Sequence, residues 1–512
     1  MVTLKSFLGM IAAVPFIMAC NQTGQVNATL FPASGSENVN PDTHLVLTFS
    51  ETPVLGDSGM IRVYDAVTDQ VVDSLDLSIP SGPTESRTYG PECDYTKVPY
   101  DYTRTVMPTN KDTRPGTPSG TAEPTPPVYQ LTIIGGFTDA FHFYPVIVRD
   151  SIATIYLHNN MLEYGHTYYV TIDNGVLNLA DGSFQGVTKE DEWIFTTKSD
   201  MPELSDTLIV DVAGKGDFNT VQGALDFIPD FNEQQTVILV NPGDYEELVY
   251  TRNKWNVKIK GAGMTDTKVH YANNEVFNPH PLTVKTNEWP GTFPSRRAAF
   301  MLDNCKDIVI EDMTIATDLK GQAEGLLING ERIALYRVHI IGSGDALQAN
   351  GTIYMESCEL DGGGDTILGR GSLFAYKSNF RNGGGPFSWV RNTAGNVFVE
   401  CTFSTEDGKQ ADYGRTKSNH GSAYPDAEFV LIDCKVKNII PEGWSSIGAK
   451  TAKMYEYNTC DMVTGNPVDV SKRHPYSRQL TKDKDTELIN NYRNPAFVLK
   501  GWVPDSCING TK

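Results

Sequence analysis

GSGDALQ at residues 342–348 and GGGDTIL at residues 362–368 are two copies of one short pattern, each with an aspartate after a glycine-rich turn. Asp345 follows Val338 of the run IALYRVHI by seven residues, and Asp365 follows Cys358 of the run IYMESCEL by the same number. This twenty-residue step predicts successive coils of a solenoid, which would stack the two carboxylates on neighbouring strands about 4.8 Å apart. Two carboxylates at that distance do not both ionise easily, so the repeat predicts an acid/base pair.

The coil spacing continues on both sides of the pair. Landmark positions in short strand-like runs are separated by 25, 20, 21 and 22 residues: Met313, Val338, Cys358, Asn379 and Cys401. Coils of this length without helical periodicity favour a parallel β-helix over a leucine-rich or helical solenoid. We expect Cys358, Cys401 and the later Cys434 to pack inward as small apolar residues, and Asn379 to join a side-chain ladder.

Composition excludes some functions. The chain has 512 residues, which predicts two or three structural units, and a formal net charge of -21, which argues against a nucleic-acid partner. No two of the eight cysteines have metal-ligand spacing, so no zinc site is predicted. We also expect the protein to be a monomer.

The first twenty residues have the pattern of a targeting segment. Lys5 precedes the apolar run FLGMIAAVPFIMA, which ends directly before Cys20. The run is too short to span a membrane and resembles a bacterial lipoprotein signal. We therefore predict a signal peptide over residues 1–19 and a lipid tether on Cys20, which would place the protein at the cell surface or in the periplasm. An ordinary secretory signal cut at another position is the alternative.

Two folded regions follow a short tether at residues 20–27. Residues 28–198 contain alternating apolar runs such as HLVLTFS and TYYVTID, and they resemble a bacterial immunoglobulin-like domain. A Pro/Thr-rich insertion at 81–127 interrupts this region, and a linker at 199–206 precedes the coils of 207–512. The predicted fold class is all-β, with a right-handed parallel β-helix preceded by an immunoglobulin-like β-sandwich.

A carboxylate pair on a β-helix fits several reactions on carbohydrates. A retaining glycosidase uses two carboxyl groups about 5 to 5.5 Å apart. A lyase would need a calcium cluster and a basic residue, and an esterase would use one carboxylate as nucleophile and the other as acid. The spacing alone does not choose among them.

Residues 207–460 contain a series of short motifs in a fixed order. They are Gly243, Tyr245 and Glu247 in G-x-Y-x-E, Gln322 in GQAEGLLI, Asp345 in GDAL, Asp365 in GGGDTILG, Arg415 in YGRT, and Trp444 in IIPEGW. This order resembles the pectin methylesterase (pectinesterase) family. The resemblance implies a carbohydrate esterase that hydrolyses the methyl esters of galacturonate residues in pectin, with pectin or a related polyuronate as its partner.

The resemblance also implies a role for each site residue. Asp365 would attack the ester carbonyl, and Asp345 would protonate the departing methanol and then activate water. Arg415 would pair with Asp365 and keep it ionised, and Gln322 would donate a hydrogen bond to the developing oxyanion. The reaction would need no metal and no organic cofactor.

Several positions depart from the family pattern. Gly344 stands where the family has a second oxyanion-hole glutamine, and Thr366 and Leu368 replace two phenylalanines of the sugar groove. Lys417 and His420 are candidates for the missing donor. The candidates for sugar contact are Phe387, Trp389, Tyr413 and Trp444.

These departures favour a substrate that differs from plain homogalacturonan in pattern, branching or alcohol group. Two alternatives of other classes stay open: a non-catalytic polyuronate-binding protein, and a β-helix lyase or glycosidase.

Overall fold

The computed structural model describes residues 26–82, 129–137, 141–204, 207–278, 295–390, 395–416 and 424–504. The predicted signal peptide, Cys20 and nearly all of the 81–127 insertion lie outside these residues. None of the helices in the described part of the chain has the length and apolar character needed to span a bilayer.

The N-terminal region forms two sheets that share one hydrophobic core. The larger sheet has the order β2-β13-β11-β5-β6 and the smaller has the order β1-β3-β10-β9, with mostly antiparallel pairing. Alternating residues of both sheets point inward, among them Leu47, Val63, Val170 and Phe195. The strands of this β-sandwich region are β1 (Thr29–Phe31), β2 (Ser36–Val39), β3 (Leu45–Thr48), β4 (Val54–Leu55), β5 (Met60–Asp65), β6 (Gln70–Asp76), β7 (Leu131–Thr132), β8 (Phe141–His142), β9 (Val146–Arg149), β10 (Ile152–Ile155), β11 (Thr167–Ile172), β12 (Leu177–Asn178) and β13 (Ile194–Thr197).

The rest of the chain winds into a parallel β-helix. Within the described residues it has 21 strands, which pair in parallel from one coil to the next. The strands are β14 (Thr207–Val210), β15 (Thr236–Val240), β16 (Gly243–Glu246), β17 (Val249–Arg252), β18 (Trp255–Lys260), β19 (Thr267–Tyr271), β20 (Phe300–Thr317), β21 (Leu326–Ile341), β22 (Leu347–Glu356), β23 (Glu359–Gly362), β24 (Ile367–Gly369), β25 (Ser372–Tyr376), β26 (Asn379–Asn382), β27 (Ser388–Val390), β28 (Gly395–Val399), β29 (Thr402–Thr405), β30 (Glu428–Ile432), β31 (Lys435–Lys437), β32 (Lys453–Tyr457), β33 (Cys460–Asp461) and β34 (Ser477–Gln479). The prediction of a parallel β-helix is confirmed.

Three helices accompany the β-helix: α1 (Val221–Phe227), α2 (Lys482–Arg493) and α3 (Pro495–Val498). The apolar side chains of α1, including Leu225 and Phe227, extend the coil core at its N-terminal end. Ile489 and Tyr492 of α2 cover a row of side chains on an outer face of the coils that includes Tyr354. The helices thus shield the N-terminal end of the coil core and one outer face of the coils from water.

The strand register corrects one landmark of the coil spacing. Glu359 pairs with Asn379, so the residue level with Cys358 is Ser378 and not Asn379. Ser378 is fully buried and donates within the coil interior, whereas Asn379 is exposed. The prediction that Asn379 belongs to the inward series was wrong by one residue, because a count of spacings does not detect where a turn gains or loses a residue.

The three cysteines of the series behave as predicted. Cys358, Cys401 and Cys434 are fully buried in the coil core and make no disulfide. Burial raises the pKa of the Cys358 thiol to about 12, which keeps it uncharged.

The sandwich region contacts the first coils through the N-terminus of α1. Asp42 accepts hydrogen bonds from the backbone N–H of Asn219 and Thr220 at 2.9 and 2.8 Å. Glu247, from the turn after β16, accepts from the N–H of Val221 at 2.8 Å. Two carboxylates from different regions therefore satisfy backbone donors that a helix start leaves unpaired.

A second contact joins the two regions through aromatic side chains. Phe137 precedes β8, and Phe141 is its first residue. Their rings pack against Tyr250, with ring centroids 5.9 and 4.5 Å away. Ile134 and Tyr271 belong to the same buried cluster. This short segment follows the insertion and buries its apolar side chains against the coils.

We expect Glu247 to make stability depend on pH. Burial raises its pKa from 4.5 to about 7, against the lowering effect of hydrogen bonds from the N–H of Gln222 and Val221. The folded protein therefore holds a proton that the unfolded chain releases between these values, and the free energy of unfolding falls as pH rises through that window. One such group contributes about 1.4 kcal/mol per pH unit.

Glu247→Gln is accordingly expected to flatten the change in unfolding free energy between pH 5 and pH 7, measured by urea denaturation. The slope with pH is the readout, because glutamine also loses one acceptor and lowers stability at every pH. Glu233→Gln, at an exposed position, is the control and keeps the wild-type slope. An unchanged slope in Glu247→Gln contradicts the prediction.

Candidate active site

A row of carboxylates crosses three successive coils on the outer face of the β-helix. Three residues pair in register across these coils: Leu326, Leu347 and Ile367. Each carboxylate lies two residues before one of them. The carboxylates are those of Glu324, Asp345 and Asp365. Glu324 is fully buried, and Asp345 and Asp365 are each 8% exposed. The coil geometry thus places the two predicted aspartates in equivalent turns before the adjacent strands β22 and β24, and adds a third acid that the spacing argument did not include.

Asp365 is paired with Arg415. The guanidinium donates from Nε to Oδ1 at 2.9 Å and from Nη2 to Oδ2 at 2.5 Å, which is a two-pronged contact. This hydrogen bonding raises the pKa of Arg415 further above its ordinary value. The guanidinium also lies 4.2 Å from the ring centroid of Trp389, which occupies the neighbouring coil. Arg415 is therefore held in one orientation by a carboxylate and an aromatic ring.

Asp345 has an arginine partner of its own. Arg297 donates from Nη2 to Asp345 Oδ2 at 3.1 Å and from Nε to the two oxygens of Glu324 at 2.8 and 2.9 Å. Its Nη1 donates to Oε1 of Gln322. Burial opposes the charge of Arg297, but Glu324 and Asp345 outweigh that effect and raise its pKa above the ordinary value. One guanidinium therefore joins three side chains of the site.

Gly344 lies directly against the backbone of the preceding coil. A Cβ atom built at this position would be 2.7 Å from the carbonyl oxygen of Gly321 and 3.2 Å from Cα of Gln322. No side chain fits there unless the backbone moves. Residue 344 therefore contributes no side-chain donor to the site.

Asp412 is a further acid beside Asp365. Burial raises its pKa to about 6, a hydrogen bond from Ser445 lowers it, and the charges of Asp365 and Arg415 act in opposite directions. Its Oδ1 has no hydrogen-bond partner within the described ranges. Near neutral pH this residue adds a negative charge next to the Asp365–Arg415 pair.

The structure corrects three of the predicted sugar contacts. Phe387, Tyr413 and Trp444 are fully buried in the coil core, and Tyr413 and Trp444 pack edge to face with ring centroids 5.1 Å apart. They face inward, so they fill the interior of the β-helix and cannot stack on a polysaccharide. Trp389 is partly exposed on the outer face, and Lys417 and His420 lie outside the described residues.

Gln322 is exposed at the start of the same row and presents its amide oxygen to Arg297. Sequence reasoning identified Gln322 but missed Arg297, which lies in a stretch without a family motif. One signal was available. Glu324 lies two residues after Gln322 in GQAEGLLI, at the place of the valine in the family pattern Gln-Ala-Val-Ala-Leu. A carboxylate buried at such an apolar position requires a cation.

A second group of polar residues lies away from the row. Ligand atoms of Glu246, His270 and Asp318 are within 4.8 Å of one another, as in a metal site. Arg149 donates to Glu246 and lies 4.0 Å from Asp318, so a guanidinium already supplies positive charge to this group.

The chain is thus a parallel β-helix protein with two arginine-paired aspartates on its outer face. Residues 207–382 match the family model described as Pectinesterase, and this match supports a carboxylic ester hydrolase of that type.

Relatives and solved structures are similar over the same region. Pectinesterase QRT1 of Arabidopsis thaliana is 27% identical over 324 residues, which is 58% of this chain and 80% of the relative. Pectinesterase 31 of the same plant is 25% identical over 294 residues, 54% of this chain and 89% of the relative. The pectin methylesterase from carrot has a TM-score of 0.46 at 18% identity, with 59% of this chain and 95% of that chain covered.

Proposed function

We propose that the chain hydrolyses methyl esters of galacturonate residues in pectin, with Asp365 as nucleophile and Asp345 as general acid and then base. The observation that supports these roles is the placement of Asp365, held on both oxygens by Arg415, one coil away from Asp345. A carboxylate fixed in this way is oriented to attack an ester carbonyl beside it.

The reaction would proceed in two steps. In the first, a carboxylate oxygen of Asp365 bonds to the ester carbonyl carbon, the bond from carbon to methoxy oxygen breaks, and Asp345 gives its proton to the leaving methanol. In the second, water attacks the resulting anhydride, Asp345 takes the proton from that water, and Asp365 leaves as a carboxylate. Gln322 would donate to the oxyanion that forms in both steps.

The first step needs one carboxyl group of the row to hold a proton that it can give to the leaving methanol. The row holds three carboxylates, those of Glu324, Asp345 and Asp365, beside the guanidinium groups of two arginines. Arg297 donates to Asp345 at 3.1 Å and to Glu324 at 2.6 to 2.9 Å. Because neighbouring carboxylates disfavour each other's ionised form, the proposed mechanism assigns the proton of the first step to Asp345.

One assay tests the function against its alternatives. Purified protein is incubated with unbranched methylated homogalacturonan, branched pectin and acetylated pectin, and methanol, acetate, reducing ends and unsaturated ends are measured. Methanol release without new chain ends supports the proposal. New reducing or unsaturated ends would indicate a glycosidase or lyase, and binding without any release would indicate a binding protein. Full activity on unbranched homogalacturonan would refute a preference for another pectin.

Asp412 is expected to affect substrate affinity through its charge. The pKa of about 6 means that this residue becomes ionised as pH rises from 5 to 7.5, and the added charge repels a polyuronate. We expect KM to rise roughly threefold over this range in the wild type and to stay constant in Asp412→Asn. Steady-state methanol release at both pH values measures it, and a wild-type pH dependence that survives in Asp412→Asn contradicts it.

Two further proposals concern the N-terminal part of the chain. The β-sandwich region is an immunoglobulin-like module that holds the esterase away from its attachment point, and Cys20 is the lipid attachment site of an outer-surface or periplasmic lipoprotein. A Cys20→Ser variant should lose incorporation of labelled fatty acid and appear in the soluble fraction. Unchanged labelling would overturn the tether.

A further inference from the structure

We propose that Arg297 takes the place of the oxyanion-hole donor missing at Gly344, by orienting Gln322 and by bringing positive charge to the oxyanion. The inference rests on the proposed function of this site. It assigns a role in the same reaction to Arg297, a residue that lies outside the quoted sequence motifs.

The first argument is the direction of the Gln322 amide. Arginine has N–H donors and no acceptor, so the group that Gln322 presents to Arg297 must be its carbonyl oxygen. The amide NH₂ of Gln322 then points away from Arg297 and is available as a donor. Without Arg297 the amide could turn over and present its oxygen to the oxyanion, which would repel it.

The second argument is the rigidity of the guanidinium. Nε and Nη2 of Arg297 both donate to Glu324, which is fully buried one coil before Asp345. Nη2 also donates to Asp345. These contacts use three of the five N–H groups, and a fourth is used by Gln322, so the orientation of the group is determined. A positive charge fixed in this way needs no reorganisation when negative charge develops beside it.

The third argument is the position relative to Gly344. A Cβ at residue 344 would point at Gly321 and Gln322, and Arg297 contacts both Gln322 and Asp345, the residue after Gly344. The guanidinium therefore contacts one residue that a Cβ at 344 would approach and the residue that follows 344 in the chain. Arg297 thus donates to both neighbours of the position that lacks a side-chain donor.

The test uses two variants of the full-length protein. Arg297→Lys keeps the charge and loses the planar fork, and the double variant Arg297→Met with Glu324→Val removes the whole ion pair, so that no buried carboxylate is left unpaired. Arg337→Met is the control. It removes an arginine that donates to Asp312 on an exposed part of the same β-helix. Circular dichroism and thermal unfolding confirm that each variant is folded.

We expect the double variant to lose about 10² to 10³-fold in kcat, with KM changed by less than about threefold, because the oxyanion exists only in the transition state. Arg297→Lys is expected to lie between the double variant and the wild type. Gln322→Ala should lower kcat in the wild type and have little further effect in the double variant, because Gln322 acts in the orientation that Arg297 sets. A residue that only supports the fold would not remove the effect of Gln322→Ala.

Two results overturn the inference and can be told apart. A folded double variant with kcat within about threefold of the wild type overturns the role of Arg297 and leaves the esterase function intact. If the double variant does not fold, the same threshold applied to Arg297→Lys decides. A wild-type protein that releases no alcohol from any ester overturns the proposed function and this inference with it.

Discussion

Asp365→Ala is expected to lower methanol release from pectin by about 10⁴-fold or more, because it removes the atom that forms the covalent bond to the substrate. The other parts of the site remain in place in this variant. Arg415 loses the carboxylate that holds it and becomes available to the carboxylates of a polyuronate. We therefore expect binding of oligogalacturonide, measured by calorimetry, to be unchanged or tighter while turnover is lost.

Asp361→Ala is the matched control for this change. Asp361 lies on the same coil as Asp365 and is also paired with an arginine, Arg381, but it belongs to β23 on another face. Its removal should change kcat by less than about twofold. If Asp365→Ala retains more than about a tenth of the wild-type kcat, Asp365 is not the nucleophile.

Asp345→Asn is expected to lower methanol release by about 10² to 10⁴-fold, the usual contribution of a general acid or base. Asparagine has nearly the same shape as aspartate and can still accept a hydrogen bond from Arg297, so the coil and the arginine should keep their positions. What the variant loses is the ability to give and take a proton.

The choice of leaving group separates the two steps in Asp345→Asn. A phenyl ester of galacturonate releases an alcohol that needs no proton, so the first step should recover while the second, which needs a base, stays slow. The expected result is a burst of one phenol per enzyme followed by slow turnover, seen by stopped-flow absorbance. Asp365→Ala should show no burst with the same ester. Equal losses on methyl and phenyl esters, without a burst, would contradict the assignment of Asp345 as the acid.

Asp345, Asp365 and Arg415 show what sequence repeats and motifs were able to predict about the site. Asp345 and Asp365 were identified because a β-helix repeats its geometry from coil to coil, so an equal offset in sequence becomes an equal position in space. Arg415 was found through the family motif, fifty residues after Asp365, and its contact confirms the expected pairing. Local repetition and motif order were sufficient for these three residues.

The aromatic candidates for sugar contact show what the sequence motifs could not predict. Four aromatic residues lie in or near the motifs, and only Trp389 reaches the outer face, whereas Phe387, Tyr413 and Trp444 are buried. Which side of a strand faces the core depends on a one-residue change of register, and the turns between coils alter that register without a clear signal. The shift from Asn379 to Ser378 has the same cause.

The sequence by itself determined the β-helix, the stacking of Asp345 on Asp365 and the absence of a side chain at residue 344, since each follows from spacing or from a single residue. Only the tertiary structure decided what compensates for that absence. Arg297 lies 48 residues before Asp345 along the chain and meets it, Gln322 and Glu324 because successive coils return to the same face. A contact of this kind depends on how the coils stack and on which side chains fill the gaps between them, and a pattern within one coil does not contain that information.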